Sequence, residues 1–374
     1  MQKIDFGIGS SLNIEQYIRK YFAKNIFLVH GKKSFYESGM SDVISDLQNK
    51  YSFTSFSDFT SNPKIEHVKK GIDLYRSKKF DIIISIGGGS ALDIAKLIKG
   101  LAKSEGDLEL DIENNHYSQN NTPLIAVPTT CGSGSESTHF AVVYINGIKY
   151  SFANKNLLPN YALIDGNLSL SGSNYLKACS GLDALCQSIE SHWSVNSTKV
   201  SRGFSLQAMD KLINNLKEFI LSPSVNSINE VALASNLAGR AINISKTTAA
   251  HALSYSITSN YGIPHGHAVA FGMPYFIKYN SDFSLKNLNQ GISERDLKNR
   301  FLEIFNCFAV SDAKQCSDVF TDLVRDIGIN MSKLKNEISK TELKGIIDDL
   351  NEERAKNNPR KVNKNHIMDN FLEG

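Results

Sequence analysis

Phe80-Asp81-Ile82-Ile83-Ile84-Ser85-Ile86-Gly87-Gly88-Gly89-Ser90-Ala91 is the stretch that decides the fold. Its first half is a short, nearly unbroken apolar run. Such a run reads as a strand buried on both faces, the kind found in parallel sheets. It enters three glycines and a serine, and a helix then opens near Ala91, carrying Asp93, Ala95 and Lys96. Upstream, Ile26-Phe27-Leu28-Val29-His30-Gly31 repeats the pattern and leads into Lys32, Lys33 and Ser34. Between these strands, residues 41–51 and 65–79 have helical periodicity, with Asn62-Pro63 as a start signal. Strand, helix, strand, helix predicts an α/β domain with a parallel sheet.

Downstream, residues 104–121 are polar, acidic and Asn-rich and read as a surface excursion. Leu124-Ile125-Ala126-Val127 is a third strand, closed by Pro128-Thr129-Thr130. Residues 139–153 flank Asn146-Gly147, a strong hairpin signal. Tyr161 to Asp165 is one more strand. Beyond about residue 170 the β-rich runs give way to long helical patterns. The predicted organisation is an α/β dinucleotide-binding domain over 1–168 and an all-α domain over 169–374. The charged, Asn-rich tail from Glu352 to Asn365 reads as a solvated linker before a last short helix. His30, His67, His116, His192 and His366 read as structural or surface residues, and Trp193 as core.

Composition narrows the function classes. The 374 residues carry 41 basic and 38 acidic side chains, a net charge of +3, too balanced to argue for nucleic acid or an acidic membrane surface. Five scattered cysteines without a CxxC pair speak against a disulfide framework or a thiolate zinc site and favour a reducing compartment. The N-terminus lacks a long apolar core of the signal-peptide type, and no run is long enough to span a bilayer. The expected location is cytoplasmic.

Two loops and one lysine are candidates for nucleotide-type chemistry. Gly87-Gly88-Gly89-Ser90 sits where a strand meets a helix N-terminus, and glycines there let a phosphate approach outward-pointing amides. The spacing is not GxGxxG, so an ordinary Rossmann fingerprint is absent. Pro128-Thr129-Thr130-Cys131-Gly132-Ser133-Gly134-Ser135-Glu136 offers hydroxyls and free amides directly after a strand, and reads equally as a nucleotide loop or a plain surface loop. Lys149 is a nucleotide contact or a solvated lysine.

In the second half, Asp183 and Gln187 are four apart, one turn on one helix face. His251 and His265 follow. One carboxylate, one amide and two imidazoles could enclose a divalent cation such as Fe, Zn, Ni or Mn. On spacing alone an ordinary core is the better reading. Lys246, Thr247 and Thr248 stand just before His251, where a helix start near Thr247 would aim amides, hydroxyls and an ammonium at an anion. Arg240, about two turns earlier, is a further candidate.

Taken together, these motifs resemble the iron-containing (group III) alcohol dehydrogenases. GGGSxxDxAK matches Gly87 to Lys96. PTTxGTGSE matches Pro128 to Glu136, with Ser133 for Thr. GxDAL, HAL and PHG match Gly181 to Leu185, His251 to Leu253 and Pro264 to Gly266, and Asn357-Asn358-Pro359-Arg360 is similar to a C-terminal NPR. The resemblance implies a dehydroquinate synthase-like fold and a catalytic divalent metal, Fe2+ or else Zn2+, in the cleft between an N-terminal dinucleotide domain and a helical domain. It also implies a homodimer. The metal ligands carry over as Asp183, His251 and His265. Gln187 stands where a fourth histidine is usual, and a neutral amide oxygen is a weaker ligand. Tyr255 stands where many members have a histidine beside the substrate, so Tyr255 or His267 would take over its proton-relay role. Cofactor contacts carry over to Gly31, Ser34, Gly87, Gly88, Gly89, Ser90, Asp93, Thr129, Thr130, Ser135 and Lys149. NADH-selective members tend to carry an acid after the first strand. Gly31 followed by Lys32, Lys33 and Ser34 therefore implies a preference for NADPH.

The segments Thr138 to Tyr144, Gly181 to Ser191, Ser245 to Thr248 and His265 to Val269 resemble the phosphonoacetaldehyde reductase branch, in which Gln at the fourth position is customary. That resemblance implies reduction of phosphonoacetaldehyde to 2-hydroxyethylphosphonate, with Lys246, Thr247, Thr248 and Arg240 on the anionic substrate. The alternatives are a related dehydrogenase for a short-chain alcohol or polyol phosphate, and a nucleotide-binding protein whose metal site Gln187 has broken.

Overall fold

The computed structural model describes residues 2–350 and 352–372. The chain forms two compact units, Met1–Ser173 and Asn174–Gly374. The expected boundary at 168/169 lies just before that division. Met1 and Glu373–Gly374, at the outer ends of the expected domains, lie outside the described residues.

The first unit is built on a six-stranded sheet. Its strands are β1 (Lys3–Phe6), β2 (Asn25–His30), β3 (Ser52–Phe56), β4 (Ile82–Gly87), β5 (Leu124–Pro128) and β8 (Tyr161–Ile164), in the order β1-β8-β5-β4-β2-β3. Every pairing is parallel. The alternation of strand side chains explains the apolar runs. Ile26, Leu28, Ile82, Ile84 and Ile86 belong to one core and Phe27, Val29 and Ile83 to the other. A strand with a core on each face has no polar face to show, so β2 and β4 read as continuous apolar runs. Between β5 and β8 lies an antiparallel hairpin of β6 (Phe140–Ile145) and β7 (Ile148–Ala153). Its turn residues Asn146 and Gly147 have φ of 50° and 81°, the left-handed pair that a two-residue hairpin turn needs.

The order of the strands places the loops. From β2 the chain goes to β3 on one side, then returns to β4 on the other. The loops leaving β2 and β4 diverge at this switch point, where open α/β sheets bind ligands. The register sets His30 beside Ile86 and Gly87 beside Pro128. The Gly31, Gly87 and Thr129 loops therefore leave three adjacent strands side by side.

Two expectations need correction. The 104–121 segment is more than a surface excursion. It contains the Leu108–Glu113 helix, capped by the Asp107 carboxylate, and buries Asp111 and Asn120. The tail is not a solvated linker either. Asn357 and Asn358 are buried, and the Asn280 and Asn358 amides hydrogen-bond each other reciprocally. Buried amides with mutual partners are core, however polar their sequence.

The second unit is helical. Its long helices are Asn174–Trp193, Lys199–Leu221, Val225–Ser245, Ala249–Tyr261, His265–Ser281, Glu294–Cys307 and Ala313–Asp326. Thr198 and Ser224 open two of them with capping boxes. Among the described residues no helix is long and apolar enough to cross a membrane.

Two glycines set how closely helices approach the site. A Cβ on Gly181 would stand 2.2 Å from Leu216 Cδ1, and one on Gly266 would stand 1.8 Å from the Cys179 carbonyl oxygen. At Gly266 the obstacle is backbone and only glycine fits, whereas at Gly181 it is the Leu216 side chain, which would have to move. The Gly266 crossing sets the start of the His265–Ser281 helix against the turn that carries Asp183, whose Cβ would lie 3.1 Å from the added carbon.

Candidate active site

In the first unit the helix Gly89–Leu101 starts at the end of β4, with Gly88 as its N-cap. No side chain among the described residues caps it; the Ala91 and Leu92 amides bond the Gly88 carbonyl, which leaves the Gly89 and Ser90 amides for an anion. A Cβ on Gly89 would come within 2.7 Å of Ser133 Oγ, and one on Gly87 within 3.2 Å of the Gly31 amide nitrogen. Gly88 faces the Thr130 side chain at ordinary contact distance, and Ser90 is half-buried. Gly31 leads into the Ser34–Glu37 turn. Thr129 is buried and its hydroxyl has no hydrogen-bond partner among the described residues. A buried hydroxyl without a partner, beside a glycine cradle, fits a ligand that brings its own polar atoms.

Asp93 and Ser135 are spent inside the loop itself. Ser135 Oγ donates to Asp93 at 2.6 Å and accepts from Lys96 Nζ at 2.8 Å, while Asp93 also accepts from the Val142 amide. Burial raises the Asp93 carboxyl, against the pull of Lys96, Ser135, Val142 and Lys149. These two residues hold the threonine loop in shape. Lys149, on β7, adds its charge to the same group.

In the second unit, Asp183, Gln187 and Glu190 form one stripe of the Asn174–Trp193 helix, at i, i+4 and i+7. His251 lies in the Ala249–Tyr261 helix, and His265 is the first residue of His265–Ser281. Ligand atoms of Asp183, His251 and His265 all lie within 4.8 Å of one another. His251 Nε2 is 3.3 Å from Asp183 Oδ1. The two imidazole rings are 5.4 Å apart, and Ser254 Oγ is 3.4 Å from His265 Nδ1. Burial alone would raise Asp183, but the hydrogen bond with His251 and the charges of His265 and His251 outweigh it and hold the carboxyl low. Gln187 is buried one turn away and hydrogen-bonds Asp183. One carboxylate and two imidazoles, Asp183 and His251 buried and His265 half-buried, can hold a divalent cation of the Fe or Zn type.

The two candidate relay residues separate. Tyr255 stacks on the His265 ring at 5.7 Å. His267 instead meets the Tyr175 hydroxyl through Nδ1 at 2.9 Å, and its buried Nε2 has no partner among the described residues. Tyr255 is therefore the one beside the ligand triangle.

The substrate cluster is also rearranged. Its helix starts at Ala249, with Thr248 as N-cap, so Lys246 and Thr247 are not in its first turn. The Glu190 carboxylate already takes the Ala250 amide at 2.9 Å, the His251 amide at 3.3 Å and the Thr248 hydroxyl at 2.6 Å. Thr248 Oγ1 also accepts from Trp193 Nε1. An incoming anion would find those donors taken. Thr247 is buried and its carbonyl accepts from Asn357. Lys246 terminates the preceding helix with φ 63° and ψ 175°, a region nearly confined to glycine. Arg240 stacks over the Phe204 ring at 4.0 Å.

The iron-containing alcohol dehydrogenase pattern matches residues 2–166, and the C-terminal pattern of the Fe-containing alcohol dehydrogenases matches 177–373. The chain belongs to the iron-containing alcohol dehydrogenase family. It is an oxidoreductase acting on CH–OH groups, of a family that uses a divalent metal and NAD. The long-chain-alcohol dehydrogenase 1 of Geobacillus thermodenitrificans is 28% identical over 328 residues, 86% of this chain and 82% of that one. The aldehyde-alcohol dehydrogenase of Streptococcus pneumoniae serotype 4 is 30% identical over 282 residues, covering 71% of this chain, and the matched stretch spans 32% of that longer relative. The crystal structure of sulfoacetaldehyde reductase from Bifidobacterium kashiwanohense in complex with NAD+ has the same fold. It covers 100% of this chain and 96% of its own, with a TM-score of 0.86 at 23% identity.

Glu190 is absent from the site residues expected from the sequence. Its signal is the 183/187/190 stripe, which reads as helix packing until the partners of its last member are known.

Proposed function

We propose that this family member is a reductase of phosphonoacetaldehyde, with Asp183, His251 and His265 as cation ligands, Gln187 as a weak fourth ligand or near neighbour, and a preference for NADPH. The observation that carries the substrate reading is Lys246. A lysine held in a strained conformation five residues before His251 is a feature that folding alone does not favour. An ammonium next to the ligand triangle in sequence suits an aldehyde that carries a dianion two carbons from its carbonyl.

In the reaction, a hydride leaves the dihydronicotinamide for the carbonyl carbon and a proton reaches the carbonyl oxygen. The products are the alcohol and the oxidised cofactor. A cation held by the triangle would supply Lewis-acid polarisation of the carbonyl. Asp183, His251 and His265 orient the reacting end, Lys246 the phosphonate, and Tyr255 serves proton delivery from its stack on His265. The uncapped amides at Gly89 and the Thr129 hydroxyl receive cofactor oxygens.

For the cofactor, position 31 offers no carboxylate to repel a 2′-phosphate. Lys32 and Lys33 pair with Asp58 at 3.9 Å and Glu37 at 3.4 Å, but all four side chains are exposed. Such exposed pairs are weak and yield readily to a phosphate.

The test is turnover of phosphonoacetaldehyde against a neutral aldehyde of similar size, with NADPH and NADH. A preference for the phosphonate and for NADPH is expected. Equal or better turnover of the neutral aldehyde, or of a polyol phosphate, would overturn the substrate reading. A clear NADH preference would overturn the cofactor reading.

A further inference from the structure

Glu190 has no exposed surface and lies two turns beyond Asp183 on the same helix face. Its carboxylate has four protein partners. Oε1 accepts from the Thr248 hydroxyl and from the Ala250 and His251 amides. Oε2 meets His251 Nδ1. The opposite ring nitrogen, Nε2, faces Asp183. A carboxylate on one imidazole nitrogen fixes the tautomer and the ring plane, and leaves the other nitrogen's lone pair for a cation.

The same carboxylate grips the chain on both sides of the helix start. Thr248 follows directly on the Lys246-Thr247 pair, and Trp193 holds the Thr248 hydroxyl from the other side at 2.9 Å. One buried group thus sets both the His251 ring and the end of the strained segment.

We infer that Glu190 is a positioning residue: it presents His251 to the cation through Nε2 and anchors the Lys246–Thr248 segment to that ligand. The inference rests on the proposed ligand triangle.

The first measurement uses the unaltered protein. A long-range proton–nitrogen spectrum of zinc-loaded protein with labelled histidine should show His251 with its proton on Nδ1 and zinc on Nε2. Zinc on Nδ1 would overturn the proposal even if no variant folded. The second measurement is cobalt affinity of chelator-stripped protein, with the visible spectrum of the bound ion. Glu190→Gln places an amide NH2 against donors or against the ring and should weaken cobalt binding about ten- to a hundredfold, with an altered spectrum. Trp193→Phe removes the other partner of Thr248 without touching the imidazole and should leave affinity within about threefold of the parent. Equal losses in both would mean that Glu190 only supports the helix start, and no loss in Glu190→Gln would also overturn the proposal. His265→Ala is measured alongside. Undiminished cobalt binding there sinks the triangle itself, which is a different failure from that of Glu190.

Discussion

His251 Nε2 stands 3.3 Å from Asp183 Oδ1, and both side chains are buried. With His265 the pair would supply three donors to a cation, and Gln187 would add only an amide. Losing His265 removes a third of the strong donors. His265→Ala should therefore lower metal affinity about a hundredfold or more, beyond the loss typical of an outer-shell partner. Metal analysis of chelator-washed protein and aldehyde turnover should fall together. Full metal content with full activity would exclude the triangle. Gln187→His, one turn from Asp183, should tighten metal binding.

Gly266 permits the close crossing beside that triangle. An added methyl would lie 1.8 Å from the Cys179 carbonyl oxygen and 3.1 Å from Asp183 Cβ. Neither backbone nor ligand can yield without moving the helix that carries His265. Gly266→Ala should destabilise the protein by about 3 kcal/mol, the range of an overpacked core. It should also lose metal more completely than that destabilisation explains. Denaturant unfolding and metal content, measured on one sample, check both halves.

How far the sequence can be read depends on burial. β2, β4, β5 and β8 are legible because strands covered on both faces have no polar alternation to hide them. β1 and β3 are not, since both lie at sheet edges, β1 largely exposed and β3 mostly half-buried or exposed. A four- or five-residue edge strand such as Ser52-Phe53-Thr54-Ser55-Phe56 differs little from a loop. The ligand triangle is only half legible. Spacing leaves Asp183, His251 and His265 as an ordinary core, and the family motifs unite them. Glu190 stays hidden because its value lies in four partners sixty residues away, which no local pattern encodes.

Lys99 should show a different kind of burial. It is 5% exposed, and burial alone pushes its ammonium down to about 8. Below pH 8 folded and unfolded chains both hold the proton, so the folded state bears the full desolvation penalty. Between pH 8 and about 10.5 the folded lysine is neutral while the unfolded one still binds a proton. That contribution therefore raises stability as pH rises, and it levels off above the unfolded value. Lys99→Met keeps the apolar stem and removes the charge. It should stabilise the protein by about 2–3 kcal/mol at pH 7. The gain should shrink steadily towards pH 10.5. A gain that does not change with pH would mean that packing, not ionisation, sets it.

Lys246 allows stability and function to be pulled apart. Its φ of 63° with ψ of 175° lies where a side chain costs about 1–3 kcal/mol. Glycine relieves that strain, though it also widens the unfolded ensemble by up to about 1 kcal/mol. Lys246→Gly should then be more stable than the parent by about 1 kcal/mol, a Tm rise of roughly 1–3 °C for a chain of this size. Lys246→Met keeps the strain and should show no such gain. Both variants lose the ammonium. A charge-assisted bond is worth about 1.5–3 kcal/mol, so both should lose about ten- to a hundredfold in kcat/KM for phosphonoacetaldehyde. Neither should lose comparably on a neutral aldehyde. The two readouts separate the explanations. If Lys246 were merely structural, the glycine variant would gain stability with equal effects on both substrates. If the charge serves the phosphonate, the two variants differ in Tm yet share one specific loss. Equal losses on both aldehydes would assign Lys246 to the cofactor or to the fold, and the phosphonate reading would fall with it.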